Sequence, residues 1–237
     1  KALFAGGVEK KPNYHAIYDF LRWGLIDHDD KSFFDGIISL LPGEAMIVKS
    51  NGNIRKFLYW NLHTEVANKS LISEEESVEE YASLLDDSIS LQVRSDVEIG
   101  SLLSGGIDSS VLTAHIKQNL GERKPSTFTY DFNVKEGIEG AYAKEVADYL
   151  DVPSHIVSLK WQDIPEYFPK VLRMQEAPIT AFRLLAHHKA YEECYKQNIT
   201  VLLEGQGGDE LGAGYEYYYA PYVLDSLKKV ESRDFVQ

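Results

Sequence analysis

The chain holds a single cysteine, Cys194, among 237 residues. No disulfide can form within it, which fits a reducing compartment. Long apolar runs are missing as well. No stretch approaches the ~18 residues that mark a membrane-spanning helix, and no charged-then-apolar leader opens the chain. Basic residues are outnumbered, 24 Lys and Arg against 37 Asp and Glu, for a net charge of −13. A broad nucleic-acid or membrane surface needs clustered Lys and Arg, so neither partner is expected and the location is expected to be cytoplasmic. Two common nucleotide signatures are absent, the G-x-x-x-x-G-K-[ST] loop and G-x-G-x-x-G. A starting Met is absent too. The chain begins at Lys1 and reaches Gln237 without an obvious stop, so a fragment of a longer protein is expected. With 44% hydrophobic and 26% charged residues, what remains is an ordinary globular composition.

The most informative stretch present is 97–110. Val97, Ile99, Leu102 and Leu103 form an apolar run of strand length. Ser104-Gly105-Gly106 follows, where two adjacent glycines permit a sharp turn and a close backbone approach to a ligand. Asp108, Ser109 and Ser110 then open a helix continuing through Val111, Leu112 and Ile116. N–H groups at a helix start point outward and favour an anion, and the hydroxyls of Ser104, Ser109 and Ser110 add donors. The pattern suits a phosphate chain, with Asp108 beside it as a metal ligand.

Residues 1–62 read differently. Tyr14, Ile17, Tyr18 and Leu21 have helical spacing within 12–23. Ala45 to Lys49 and Ile54 to Trp60 read as strands joined at Asn51-Gly52, a two-residue hairpin signal. The region is β-rich and too small to bury a good core alone. Residues 63–72 are polar and irregular, and are read as a linker to a domain spanning 73–237. Ser73 and Glu76 form a capping box, and Val78, Tyr81, Leu85, Ile89 and Val93 make one apolar face of the helix behind it.

Beyond the first glycine loop, strands alternate with helices. Strands are expected at 127–132, 155–159 and 199–203, and helices at 139–150, 163–173 and 182–196. Ala143, Val146, Ala147 and Leu150 face inward from the first of these helices, and Ile164, Tyr167, Phe168, Val171 and Leu172 from the second. Such alternation argues for an α/β fold with a parallel sheet covered on both faces, whose ligands bind at the carboxyl ends of the strands. A second loop falls at another such end. Residues 205–214 contain five glycines, with Asp209-Glu210 among them. Carboxylates together with substrate phosphates are the usual way to hold Mg²⁺.

With both loops in view, the chain resembles the glutamine-dependent asparagine synthetase family. Ser104-Gly-Gly-Ile-Asp-Ser-Ser110 looks like that family's ATP-pyrophosphatase loop, and Gly205-x-Gly-x-Asp-Glu-Leu-x-x-Gly-Tyr215 like its second signature. Lys1-Ala2-Leu3, Phe33 to Ile37, Leu41-Pro42-Gly43 and Tyr59-Trp60 also fall as they do there. The resemblance implies an ATP-pyrophosphatase synthetase domain, of the adenine nucleotide α-hydrolase-like kind, preceded by the end of an N-terminal-nucleophile glutaminase domain. It implies ATP and Mg²⁺ as cofactors, and a carboxylic acid with ammonia or glutamine as the small-molecule substrates; a homodimer is left open. The carboxylate would be adenylated with release of pyrophosphate and then amidated. By the same resemblance Leu102, Ser104, Gly105, Gly106, Asp108, Ser109, Ser110, Tyr130 and Gly205 would bind the nucleotide, and Asp108 and Asp209 the metal.

Three departures bear on the activity. The family's glutaminase nucleophile is a cysteine at the mature N-terminus, and Lys1 is not that residue. Cys194 falls in a helix of the other domain, where a small buried hydrophobe is expected. Asparagine-forming relatives carry Glu at the catalytic position held here by Gln206, which cannot act as a base. The family's later basic residue would lie beyond Gln237. Alternatives follow: a ligase that amidates a sugar acid or closes a ring, or a catalytically silent nucleotide-binding regulator. Arg183 and Glu176 are read first as structural or surface residues, Tyr215, Tyr217, Tyr218 and Tyr219 as packing residues, and the seven histidines as lacking metal-ligand spacing.

Overall fold

The computed structural model describes residues 1–67, 72–131 and 138–234. The chain divides into two compact units, one of Lys1–Glu79 with Pro169–Ala181 and one of Glu80–Phe168 with Phe182–Gln237.

In the first unit, α1 is Ala2–Ala5 and α2 is Tyr14–Trp23. Asn13 starts α2 by accepting from the N–H groups of His15 and Ala16, and Gly24, in the left-handed region, ends it. β1 (Glu44–Val48) and β2 (Ile54–Leu58) pair antiparallel. Their turn differs from the expected two-residue one. Lys49 N–H donates to Asn53 and Gly52 N–H to Lys49, so Ser50, Asn51 and Gly52 form the loop. Of these only Gly52 has a positive φ, whereas a two-residue type I′ turn needs two such residues. Residues 63–67, read as irregular linker, belong instead to α3 (Leu62–Ala67). The reason is a cap: the Asn61 side chain accepts from Thr64 N–H at 3.1 Å. Residues 68–71 of the expected linker lie outside those described. Among the described residues of this unit, Ala16 and Val171 are the buried apolar side chains, in keeping with a segment too small for its own core.

α4 (Glu74–Gln92) begins with the expected capping box. Glu76 N–H donates to Ser73 Oγ at 3.1 Å, and Ser73 N–H to Glu76 Oε2 at 2.9 Å. Its apolar face is buried only toward the carboxyl end: Ile89 and Val93 are buried, while Val78 and Tyr81 are exposed. Periodicity identified the face but not how much of it is covered.

After α4 come β3 (Ile99–Leu102), α5 (Ile107–Leu120), β4 (Ser126–Asp131), α6 (Ile138–Tyr149), β5 (Ser154–Ser158), α7 (Ile164–Gln175), α8 (Arg183–Lys196), β6 (Val201–Leu203), α9 (Gly208–Gly212) and α10 (Tyr219–Asp234); all lie in the second unit except α7 from Pro169 onward, which belongs to the first. Phe132, expected in β4, lies outside the described residues. The sheet runs β5-β4-β3-β6 and every pairing is parallel, as the alternation predicted.

Both faces of this sheet are covered. On one, Ile99 packs with Ile89, Val93 and Ile116, and Leu103 with Ala143, Ala147 and Val152. On the other, Leu102 and Phe128 meet Ala190 and Cys194 of α8. Cys194 is thus a core residue, and burial pushes its thiol up to about 11, leaving it protonated and unreactive. Phe168 and Leu172, expected to face inward from α7, are exposed, while Tyr167 and Val171 are buried. The covered stripe of α7 is narrower than its apolar spacing suggested.

Candidate nucleotide site

β3 and β6 are parallel neighbours, with Ser101 opposite Leu203. Their carboxyl ends therefore lie side by side, and the two glycine loops leave the sheet together. A cavity of 710 Å³ opens there, within the size range of small-molecule sites. Its lining includes Leu102, Ser104, Gly106, Asp108, Ser109, Tyr130, Gly205, Gln206 and Asp209. These are residues expected at a site, and the fold brings them together. Gly105 and Ser110 do not line it.

The first loop is tied by its own hydroxyls. Ser104 N–H donates to Ser109 Oγ at 3.2 Å, and the two hydroxyl oxygens lie 3.0 Å apart. Ser109 Oγ also donates to the Gly106 carbonyl at 3.2 Å. Below it, Thr113 Oγ1 donates to Ser109 O at 2.7 Å and meets Ser101 Oγ at 2.9 Å, bonding the loop back to β3. Ser110 Oγ is buried and has no hydrogen-bond partner among the described residues. Gly105 has φ +82°, and a Cβ there would lie 2.5 Å from Tyr142 Cβ and 2.7 Å from Ala143 N. It is glycine because α6 presses on the turn. By helix geometry the first N–H groups of α5 have no carbonyl partner within the helix.

The second loop lies against the first. A Cβ on Gly205 would stand 3.1 Å from Ser109 N, and one on Gly208 2.6 Å from Asp108 Cγ. Glycine at 208 makes room for the Asp108 carboxylate. Gly214 does the same for Asp209, whose Oδ1 lies 2.0 Å from where a Cβ would be. Asp108 and Asp209 thus share one cavity. No group of three or more His, Cys, Asp or Glu suited to a metal occurs among the described residues. Two carboxylates with positions left for phosphate oxygens and water fit Mg²⁺, which keeps much of its shell from substrate and solvent.

α8 also contributes to the lining: its first turns bring Arg183 and His187, one turn apart, to the cavity. His187 meets Tyr130 edge-on at 4.7 Å and stacks on Tyr191 at 5.5 Å. Its Nε2 is 4.0 Å from Glu204 Oε2. Burial, aided by Arg183 and opposed by Glu204, holds the His187 imidazole below its ordinary value. The adjacent His188 turns elsewhere, to Glu192 and Tyr167. Glu176 lies in the first unit, against the amino group of Lys1 at 2.8 Å. Tyr215 lines the cavity and donates to Glu210 at 2.9 Å, whereas Tyr217 and Tyr219 are exposed. His187 and Glu204 were not anticipated as site residues. The spacing of Arg183, His187 and Tyr191 carried the signal, since it marks one face of α8.

Residues 80–234 match the family described as Asparagine synthase. A protein of Methanocaldococcus jannaschii named putative asparagine synthetase (glutamine-hydrolyzing) 2 is 32% identical over 177 residues, covering 75% of this chain and 33% of that protein. The amidase chry2 of Gibberella zeae is 30% identical over 243 residues, 97% of this chain and 35% of that protein. Asparagine synthetase (glutamine-hydrolyzing) 1 of Bacillus subtilis is 28% identical over 191 residues, 81% of this chain and 29% of that protein. The chain therefore spans about a third of the length of these relatives. No helix among the described residues is long and apolar enough to cross a membrane.

Proposed function

This chain belongs to the asparagine synthase family, and from that premise we propose that it forms the nucleotide site of an ATP-dependent amide-forming ligase. The observation that carries the reading is the packing of the two loops, with Gly205 and Gly208 fitted against Ser109 and Asp108. Phosphates would be received by the turn at 104–106 and by the first N–H groups of α5. Asp108 and Asp209 would hold Mg²⁺, which supplies charge neutralisation for a leaving pyrophosphate. Tyr130, half-buried at the cavity, would offer aromatic surface for the adenine beside Leu102, and Gly205 would lie beside the adenylate. An acceptor carboxylate oxygen would attack the α-phosphorus as the bond to pyrophosphate breaks. Ammonia would then attack the acyl carbon as the bond to the AMP phosphate breaks, leaving the amide. Residues 1–62 are read as the end of a glutaminase-like domain that provides the ammonia, with 63–72 as linker and 73–237 as the synthetase domain.

Gln206 favours a second reading of the acceptor. It lines the cavity where asparagine-forming relatives carry Glu, and a carboxamide orients by hydrogen bonds but takes no proton. One relative is named an amidase. A carboxylic acid other than aspartate is therefore the reading's second form. The test is pyrophosphate release by the full-length protein from Mg-ATP with ammonia, across aspartate and other carboxylic acids, beside Asp108→Ala. Release driven by one acid and abolished in the variant supports the reading. Release driven by none sinks it in favour of a nucleotide-binding regulator.

A further inference from the structure

Glu204 carries a cavity carboxylate that phosphate chemistry does not explain. It follows β6 directly, and its Oε1 accepts from Tyr191 Oη–H at 2.6 Å. Tyr191 is itself fixed by stacking on His187, and His187 by the edge of Tyr130. The other oxygen, Oε2, stands 4.0 Å from His187 Nε2, beyond hydrogen-bond range. One carboxylate oxygen is anchored by α8, and the other has no hydrogen-bond partner among the described residues and stands at the cavity.

A carboxylate accepts and does not donate, and it repels phosphate. Its ligand atom must be a donor close to the phosphate site. Gly205, the next residue, is the one that packs on Ser109 N, so Glu204 stands one residue, about 3.8 Å of chain, from that contact. In a nucleotide the sugar joins the α-phosphate directly and presents hydroxyl donors, whereas the amino group of the base lies farther out. The same pairing of a carboxylate with a ribose hydroxyl recurs in dinucleotide-binding folds.

We propose that Glu204 Oε2 accepts a ribose hydroxyl of the bound nucleotide, with Tyr191 holding the carboxylate in place, so that the site selects ribonucleotides over deoxyribonucleotides. This rests on the nucleotide reading above. The His187 Nε2, 4.0 Å away, is too far to claim Oε2 by a hydrogen bond.

Calorimetry on the full-length protein with Mg²⁺ and ATP, 2′-deoxy-ATP or 3′-deoxy-ATP tests it. ATP is expected to bind about 10- to 100-fold tighter than at least one deoxy analogue, as befits a hydrogen bond to a charged group. Glu204→Gln, nearly isosteric, should shrink that ratio to about threefold or less, with a melting curve as the check on folding. Tyr191→Phe keeps the carboxylate but frees it, and should reduce the ratio as well. Equal affinities for all three nucleotides overturn the proposal, as does a ratio unchanged in both variants. Failure of ATP itself to bind removes the nucleotide reading and this proposal with it.

Discussion

The two glycine loops leave neighbouring strands at the same edge of one sheet, yet they are built in opposite ways. The loop at 104–109 is rich in hydroxyls that bond one another and the backbone beneath. The loop at 205–214 has few side chains, and its glycines at 208 and 214 leave space for the carboxylates of Asp108 and Asp209. One loop is rigid through its own hydrogen bonds, and the other is shaped by what it makes room for. The lesson is that glycine richness marks different physics at the two places. Gly105 is required by α6 pressing on the turn, and Gly208 by a carboxylate that belongs to the other loop.

Substitutions separate these roles. The largest effect is expected for Asp108→Ala, which removes a charge from the shared cavity. Initial rates of pyrophosphate release should fall by about 10²- to 10³-fold with little change in melting temperature, since the side chain is exposed. Gly208→Ala keeps that charge but places a methyl 2.6 Å from Asp108 Cγ. A loss of about tenfold or more is expected in the same assay; wild-type rates would break the view that the loops form one site. Gly105→Ala combines a positive φ with a clash against α6. It should lower stability by about 2–3 kcal/mol in denaturant titrations, against a smaller change, backbone strain alone, for Gly207→Ala, which has φ +96° but open space around its Cβ position. Ser109→Ala removes the bonds that tie the first loop, and should cost about 1–2 kcal/mol by the same measure.

The smallest effect expected is pH-dependent. The His187 imidazole is held below its ordinary value, chiefly by burial. The folded state therefore binds fewer protons than the unfolded state between the lowered and ordinary values, and stability rises with pH across that window. This contribution is fully present above the ordinary imidazole value and is lost as pH falls through the lowered one. Melting temperatures of His187→Gln should slope less steeply across the window than those of wild type.

Much of this was legible in the chain itself. Ser104-Gly105-Gly106 after an apolar strand and Asp209-Glu210 among glycines were readable because local residue types carry that chemistry. The parallel sheet followed from strands alternating with helices. What stayed hidden depended on distance in space. The cap at Asn61 that builds α3 was missed because the segment is otherwise polar. The exposure of Val78, Tyr81, Phe168 and Leu172 could not be read from spacing, which gives a face but not its cover. His187 and Glu204 reach one cavity only because α8 packs on β4 and β5 and its first turns end where β6 does; the spacing along α8 marks a face but not what that face meets.

The central claim is that the two loops act as one Mg²⁺-dependent nucleotide site. Titration calorimetry of ATP into wild type, Asp108→Ala and Gly208→Ala, each with and without Mg²⁺, tests it most directly. The account predicts that Mg²⁺ strengthens binding in wild type and that either substitution, one in each loop, removes most of that gain. Mg²⁺-strengthened binding that survives Gly208→Ala unchanged would contradict it.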